Sequence, residues 1–188
     1  MHKSFFIGTG IVTESSLEVV TNVKMPLMKI ILYSPEDNSW NSEVNVVITS
    51  DKDIKKSQAI GFGDIVLFTG IFSSLDGLGD IIYAINFLIL EKNKDDQSIE
   101  YCKLSALDYL QIDNFALVEG KVLAVNDESI KVMAERSISV KGELKKHDIV
   151  AIYPLENISS ISVGDDIICN GSIANNRIVC TTAKINEA

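Results

Sequence analysis

Short apolar runs separated by polar turns dominate this chain. In its first half five runs read as strands, at about Ser4–Thr13, Leu27–Ser34, Glu43–Thr49, Ile65–Phe72 and Ile81–Leu90. They are rich in Val, Ile, Phe and Tyr, the residues that suit a pleated surface. The fourth run alternates: Val66, Phe68, Gly70 and Phe72 form one face, Ile65, Leu67 and Ile71 the other. In the fifth run Ile82 and Ala84 face inward, while Ile81, Tyr83 and Ile85 face outward. "SPEDNSWNS" (Ser34–Ser42) is a loop by its Pro, Asp, Asn and Ser content, and "DKDIKKSQAI" (Asp51–Ile60) reads as a short helix.

One phrase occurs twice. "GFGDIVLFTGIF" (Gly61–Phe72) returns as "SVGDDIICNGSI" (Ser162–Ile173), matching Gly63, Asp64 and Gly70 to Gly164, Asp165 and Gly171. "GTGIV" (Gly8–Val12) after "FFI" likewise matches "EGKVL" (Glu119–Leu123) after "FALV". An internal repeat implies a repeated structural unit. Gly63 and Gly164 allow the turn into a fourth strand, and Gly70 and Gly171 let the strand bend or a neighbouring backbone pass close. Five strands with a helix between the third and fourth are the sequence shape of an OB-fold barrel. The expected architecture is therefore all-β, with two tandem five-stranded OB-fold barrels, each carrying a short helix between strands three and four. The first spans residues 1–91. Residues 92–113, within "EKNKDDQSIEYCKLSALDYLQID", form a charged linker followed by a short helix, and residues 114–188 form a trimmed second copy.

Composition narrows the function. At 46% hydrophobic and 23% charged residues, with 3 prolines, the chain is a foldable globular sequence. No apolar run approaches the length that crosses a bilayer, and the opening "MHKSFFIGTGIV" is too short and Gly-broken for a signal peptide. A cytoplasmic location with no membrane partner is expected. Cys102, Cys169 and Cys180 lack metal-ligand spacing, and His2 and His147 lie far apart, so no metal or other cofactor is expected. Cys169 and Cys180 either face each other across a hairpin as a disulfide or remain buried thiols. No nucleophile–base arrangement, phosphate loop or dinucleotide fingerprint is present, which reads as a non-enzyme. The formal net charge of −9 opposes non-specific nucleic-acid binding, which draws its affinity from phosphate neutralisation.

From Glu43 to Gly70, "EVNVVITSDKDIKKSQAIGFGDIVLFTG" resembles the bacterial single-stranded DNA-binding proteins without a gap: a "VNVV" strand, a helix, then Gly-Asp and an alternating strand ending in Gly. "DIIYAINFLILE" is similar to that family's closing strand. The resemblance covers residues 1–91, and in the second copy it rests on "VGDDIICNG". It implies single-stranded DNA as partner, or RNA, in replication, recombination or a mobile element, and a homo-oligomer formed through the first barrel's sheet. The family stacks bases on aromatics that open and close the third strand; here Glu43 and Thr49 stand there. The family's acidic, apolar-tipped tail for recruiting partners is not read in the closing "KINEA".

The candidate stacking residues are Trp40, the only Trp, and Tyr33. Trp40 either stacks a base or folds over the barrel mouth. Candidate phosphate contacts are Lys24 and Lys29, flanking strand two, and Lys52, Lys55 and Lys56 on the helix, the alternative for the last three being a solvated helix face. The second copy gathers Lys141, Lys145, Lys146 and His147. Ile65, Leu67, Ile71, Ile81, Tyr83 and Ile85 form an apolar outer face expected to meet another sheet, in a second copy of the chain or in the second barrel. The rival to single-strand binding is an OB-fold adaptor that joins protein partners.

Overall fold

The computed structural model describes residues 4–20, 23–34, 37–48, 54–55, 57–75, 79–110, 114–140, 143–154 and 160–185. The strands are β1 (Ser4–Val20), β2 (Val23–Ser34), β3 (Ser39–Ile48), β4 (Ile65–Leu75), β5 (Gly79–Glu91), β6 (Phe115–Val125), β7 (Ile130–Val140), β8 (Glu143–Pro154), β9 (Asp166–Ala174) and β10 (Arg177–Ile185). The helix α1 (Ile99–Ala106) and a 3-10 turn (Leu107–Tyr109) lie between β5 and β6. Between β3 and β4, Ile54, Lys55 and Ser57 are helical. The rest of the helix expected over Asp51–Ile60 falls partly outside the described residues, as do Thr49, Lys52, Lys56, Lys141 and His2.

The hydrogen-bonding order β2–β3–β5–β4–β1 closes through an added β2–β1 pairing, and β7–β8–β10–β9 closes on β6 in the same way. In each ring the third and fifth strands run parallel and the other pairs antiparallel. The fold is all-β, of the OB class. The two rings match in register: Phe6 and Gly10 lie opposite Gly70 and Val66, while Ala116 and Gly120 lie opposite Gly171 and Ile167. Both first strands carry a bulge after the matched valine, at Val12/Glu14 and Val122/Ala124. Both last hairpins slip beside the matched glycine, at Gly70 and at Gly171. A Cβ on Gly70 would lie 2.5 Å from the Tyr83 carbonyl oxygen and one on Gly171 1.9 Å from that of Val179, so no side chain fits at either crossing.

The doubled phrase builds one turn twice. Gly63 and Gly164 take positive φ, 81° and 99°. Val12 N–H donates to the Asp64 carbonyl and Gly63 N–H to that of Val12; Val122, Asp165 and Gly164 repeat the pair. The Asp side chain then accepts from the amide three residues back, Gly61 at 2.9 Å in one copy and Ser162 at 2.8 Å in the other. In the first copy Asp64 is buried and also accepts from Asn93 N–H at 2.9 Å and from Lys92 Nζ at 2.7 Å. Linker and barrel are thus tied at this carboxylate.

One core runs through both rings, with Phe6, Val66, Phe68 and Ile82 in contact with the cluster that holds Val118, Val132, Ile152 and Ile167. β1 pairs antiparallel with β6 from Ser4↔Val118 to Ile7↔Phe115, so the sheet is continuous between rings. Asn114, 7% exposed, donates to the Ile173 carbonyl at 2.7 Å and accepts from its N–H at 3.0 Å. The turn Asn175–Asn176 joins β9 to β10 with both φ positive, 50° and 60°. It docks on β3: Glu43 N–H donates to Asn176 Oδ1 at 2.6 Å, and Asn176 N–H to Ser42 Oγ at 3.3 Å.

The outward face expected on β4 and β5 is corrected in part. Val66, Phe68, Gly70, Phe72, Ile82 and Ala84 face the core as read. Ile65, Ile81 and Tyr83, however, are also buried, at 2%, 2% and 1% exposure. α1 covers Ile65, which clusters with Ile11, Cys102 and Ala106. β4 also lies against β8 of the second ring. Leu67 and Ile71 are half-buried. Ile85 is exposed because it is the extra residue of the β5 bulge, as Thr181 is in β10.

All three cysteines are free, buried thiols. Burial pushes the Cys102 thiol up, and a hydrogen bond to Cys180 together with burial pushes up that of Cys169. Near neutral pH the folded protein should therefore react slowly with a thiol reagent at Cys102 and Cys169, and fully once denatured; rapid native labelling of either would contradict the packing. For the repeated turn, Asp64→Ala strands two backbone donors and a lysine and should cost about 3 kcal/mol. Asp165→Ala removes one bond on a more exposed turn and should cost about 1 kcal/mol. Urea denaturation of both variants measures the difference.

Candidate nucleic-acid interface

OB barrels bind oligonucleotides on the face of strands two and three. On β2 the inward residues Met28, Ile30 and Leu32 are fully buried, which turns Lys29, Ile31 and Tyr33 outward. On β3, Val46 and Ile48 go to the core, and Glu43 and Asn45 lie opposite Ile31 and Lys29. A register shift after Leu32 brings Tyr33 opposite Trp40. Trp40 is a strand residue, not the loop residue expected, because the turn before β3 is shorter than its polar letters imply. The two rings meet edge to face, centroids 5.5 Å apart and planes at 67°. Tyr33 Oη donates to Asn38 Oδ1, which orients the ring. Trp40 is half-buried and packs against the cluster of Ile11, Ile65 and α1, as Tyr109 does. The indole rests on the linker side of the face and leaves part of its surface in solvent.

The linker is pinned there. Glu91 accepts from Ser105 Oγ at 3.1 Å and from Tyr109 Oη at 3.0 Å, and the second bond raises the pKa of the tyrosine. Ser98 caps α1 by accepting from Tyr101 N–H.

The predicted cations fare unevenly. Lys29 Nζ lies 2.7 Å from Glu14 Oε2, the residue opposite it across the β1 bulge. Its pKa is raised by that hydrogen bond and charge, and further by Glu43. Thr13 Oγ1 donates to Glu43 Oε2 at 3.1 Å, holding this second carboxylate beside the lysine. One ammonium among two carboxylates makes this part of the face a poor phosphate site. Lys24 lies opposite Val19, far up the β1–β2 hairpin, and Lys55 is exposed on the helical turn. Tyr33, Trp40 and Lys29 share one face; Lys55 is not on it.

The same face of the second ring was missed by the sequence reading. Lys121 lies opposite Met133, Met133 opposite Ile149, and Lys131 opposite Ala151. Lys121 and Lys131 are exposed, and no carboxylate is ion-paired to either among the described residues. Arg177, following the docked Asn turn, lies over the Tyr153 ring at 4.7 Å from its centroid. The signal was available as period-two lettering in "KVMA" and "AIYP", with one of only two arginines after "NN". Among the described residues no group of His, Cys, Asp and Glu side chains could hold a metal ion.

No protein-family profile matches the chain, and no curated protein matches it in sequence. Its fold is similar to two solved structures from Thermus aquaticus. One is a deletion mutant of the single-stranded DNA binding protein, with TM-score 0.62 and 10% identity, covering 100% of this chain and 95% of that one. The other is the wild-type protein, with TM-score 0.55 and 10% identity, covering 100% and 94%. Over its whole length, then, the chain shares the fold of these two structures.

Proposed function

We propose that this protein binds single-stranded DNA and is not an enzyme. The observation that carries the reading is the Tyr33–Trp40 pair on the outer β2–β3 face of an OB barrel, the face such barrels use for oligonucleotides. The whole-chain likeness to a protein named for binding single-stranded DNA supports it. Stacking on exposed ring surface tolerates any base, so binding has little sequence preference and extends to RNA. Residues 1–91 and 114–188 act as two OB domains joined by the 92–113 linker, in the cytoplasm, during replication, recombination or the traffic of a mobile element.

The adaptor reading has its own support, since Lys29 is neutralised by Glu14 and the chain carries a net charge of −9. Titrating oligo-dT at low and high salt while following Trp40 emission separates the two. Binding should quench Trp40, and Trp40→Ala should cost about 1–3 kcal/mol. Glu14→Gln, which releases Lys29, should tighten binding and steepen the salt slope by about 0.7. An oligonucleotide neither retained nor able to quench Trp40 in low salt hands the protein to the adaptor reading.

The protein also forms a homo-oligomer through the outer sheet face that holds Leu67, Ile71, Ile85 and Leu88, the last exposed opposite Leu67. Leu67→Glu places a charge in that contact and should lower the mass measured by light scattering. A monomeric wild type would end this part of the proposal.

A further inference from the structure

A cleft of about 100 Å³ opens between the two barrels, lined by residues of β3, β4 and β5 on one side and of β8, β9 and β10 on the other. Tyr153 and Arg177 stand on the second-ring wall, Asp80 and Ile81 on the first-ring wall, with Val44 and Ile149 among the apolar lining. We propose that this cleft takes one unstacked nucleobase from a bound single strand, an assignment that rests on the single-strand reading above.

Size and chemistry agree. At about 100 Å³ the cleft is smaller than the roughly 150 Å³ cavity that holds a benzene, so it takes the edge of one base and leaves the rest of the nucleotide outside. Guanidinium planes and aromatic rings are the surfaces on which splayed bases stack, and Arg177 over Tyr153 presents both together. The Asp80 carboxylate accepts hydrogen bonds from exocyclic amino groups or ring N–H and repels phosphate, so a base edge enters rather than the backbone. Outside, Lys131 lies opposite Ala151, two residues from Tyr153 and on the same outward face of β8, so the strand's phosphates have a cation to follow.

The site is also preformed. Arg177 directly follows Asn176, whose side chain accepts from Glu43 N–H of the first ring at 2.6 Å. The contact that docks the barrels therefore fixes the arginine at the cleft. A strand running from the Tyr33–Trp40 face to the second barrel would use both rings as one surface.

Oligo-dT carrying 5-iododeoxyuridine, irradiated on the full-length protein and mapped by peptide mass, tests the assignment. Crosslinks should form at Tyr153, and Tyr153→Leu, which keeps the apolar bulk, should weaken binding roughly 5- to 150-fold. Arg177→Gln, at an exposed position where folding is not at risk, should weaken the same oligonucleotide and reduce the Tyr153 crosslink. If the wild type binds but crosslinks only elsewhere, and both variants bind as it does, the cleft assignment falls and the single-strand reading stands. If the wild type does not retain the oligonucleotide at all, that reading falls and the cleft assignment with it.

Discussion

A buried carboxylate organises the first half of this molecule. Asp64 has almost no access to water, and an ionised group there is tolerable only when its oxygens are answered by donors. They are answered from three places: the amide that opens its own turn, the amide that starts the linker, and the Lys92 ammonium. The turn's backbone in turn bonds to Val12 where β1 bulges. Strand one, strand four and the linker therefore meet at a single side chain. The register of β1 against β4 and the placement of α1 over Ile11 and Ile65 follow from it.

The second copy keeps the turn and loses the burial. Asp165 repeats the local bond to Ser162 and the backbone exchange with Val122, but it is only half-buried. The two halves have diverged in what surrounds a common frame. The first barrel spends its outer β1–β2–β4 surface on holding α1. The second leaves Lys121 and Lys131 exposed on β6 and β7, and uses the tip of β9–β10 to grip its neighbour through Asn175 and Asn176. Asn114, bonded to both the N–H and the carbonyl of Ile173, locks that arrangement from within.

How far the sequence could be read follows the range of each interaction. Facing within a strand is local, so Val66, Phe68 and Phe72 were legible from alternation alone. The doubled Gly-Asp phrase disclosed matching fourth strands because turn geometry is written in neighbouring residues. What covers an outward side chain is not local. Ile65 looked wet until α1, far along the chain, was laid over it, and Tyr83 until the strands were folded together. Lys29 read as a free cation because Glu14, its partner, is brought opposite it only by the bulge after Val12. Trp40 was misplaced because "SPEDNS" has the letters of a long loop, while β3 already begins at Ser39. The open face of the second barrel was passed over because its lysines are scattered in sequence and gathered only by β6–β7–β8 pairing.

The seam between the rings has a consequence for how the molecule is made. β1 is synthesised before the strands it pairs with: β2, β4 and, through Ser4–Ile7, β6. Its hairpin with β2 closes over a few residues. Its bonds to β6 span more than half the chain, and such distant pairings are slow to find because loop closure precedes any reward. During synthesis the first ring can close while the edge of Ser4–Ile7 remains bare, since β6 has not yet been made. A bare strand edge is a template for another chain. The interval between completion of the first ring and arrival of β6 is thus when nascent copies are most open to pairing with one another, and the seam closes that edge once the second ring folds.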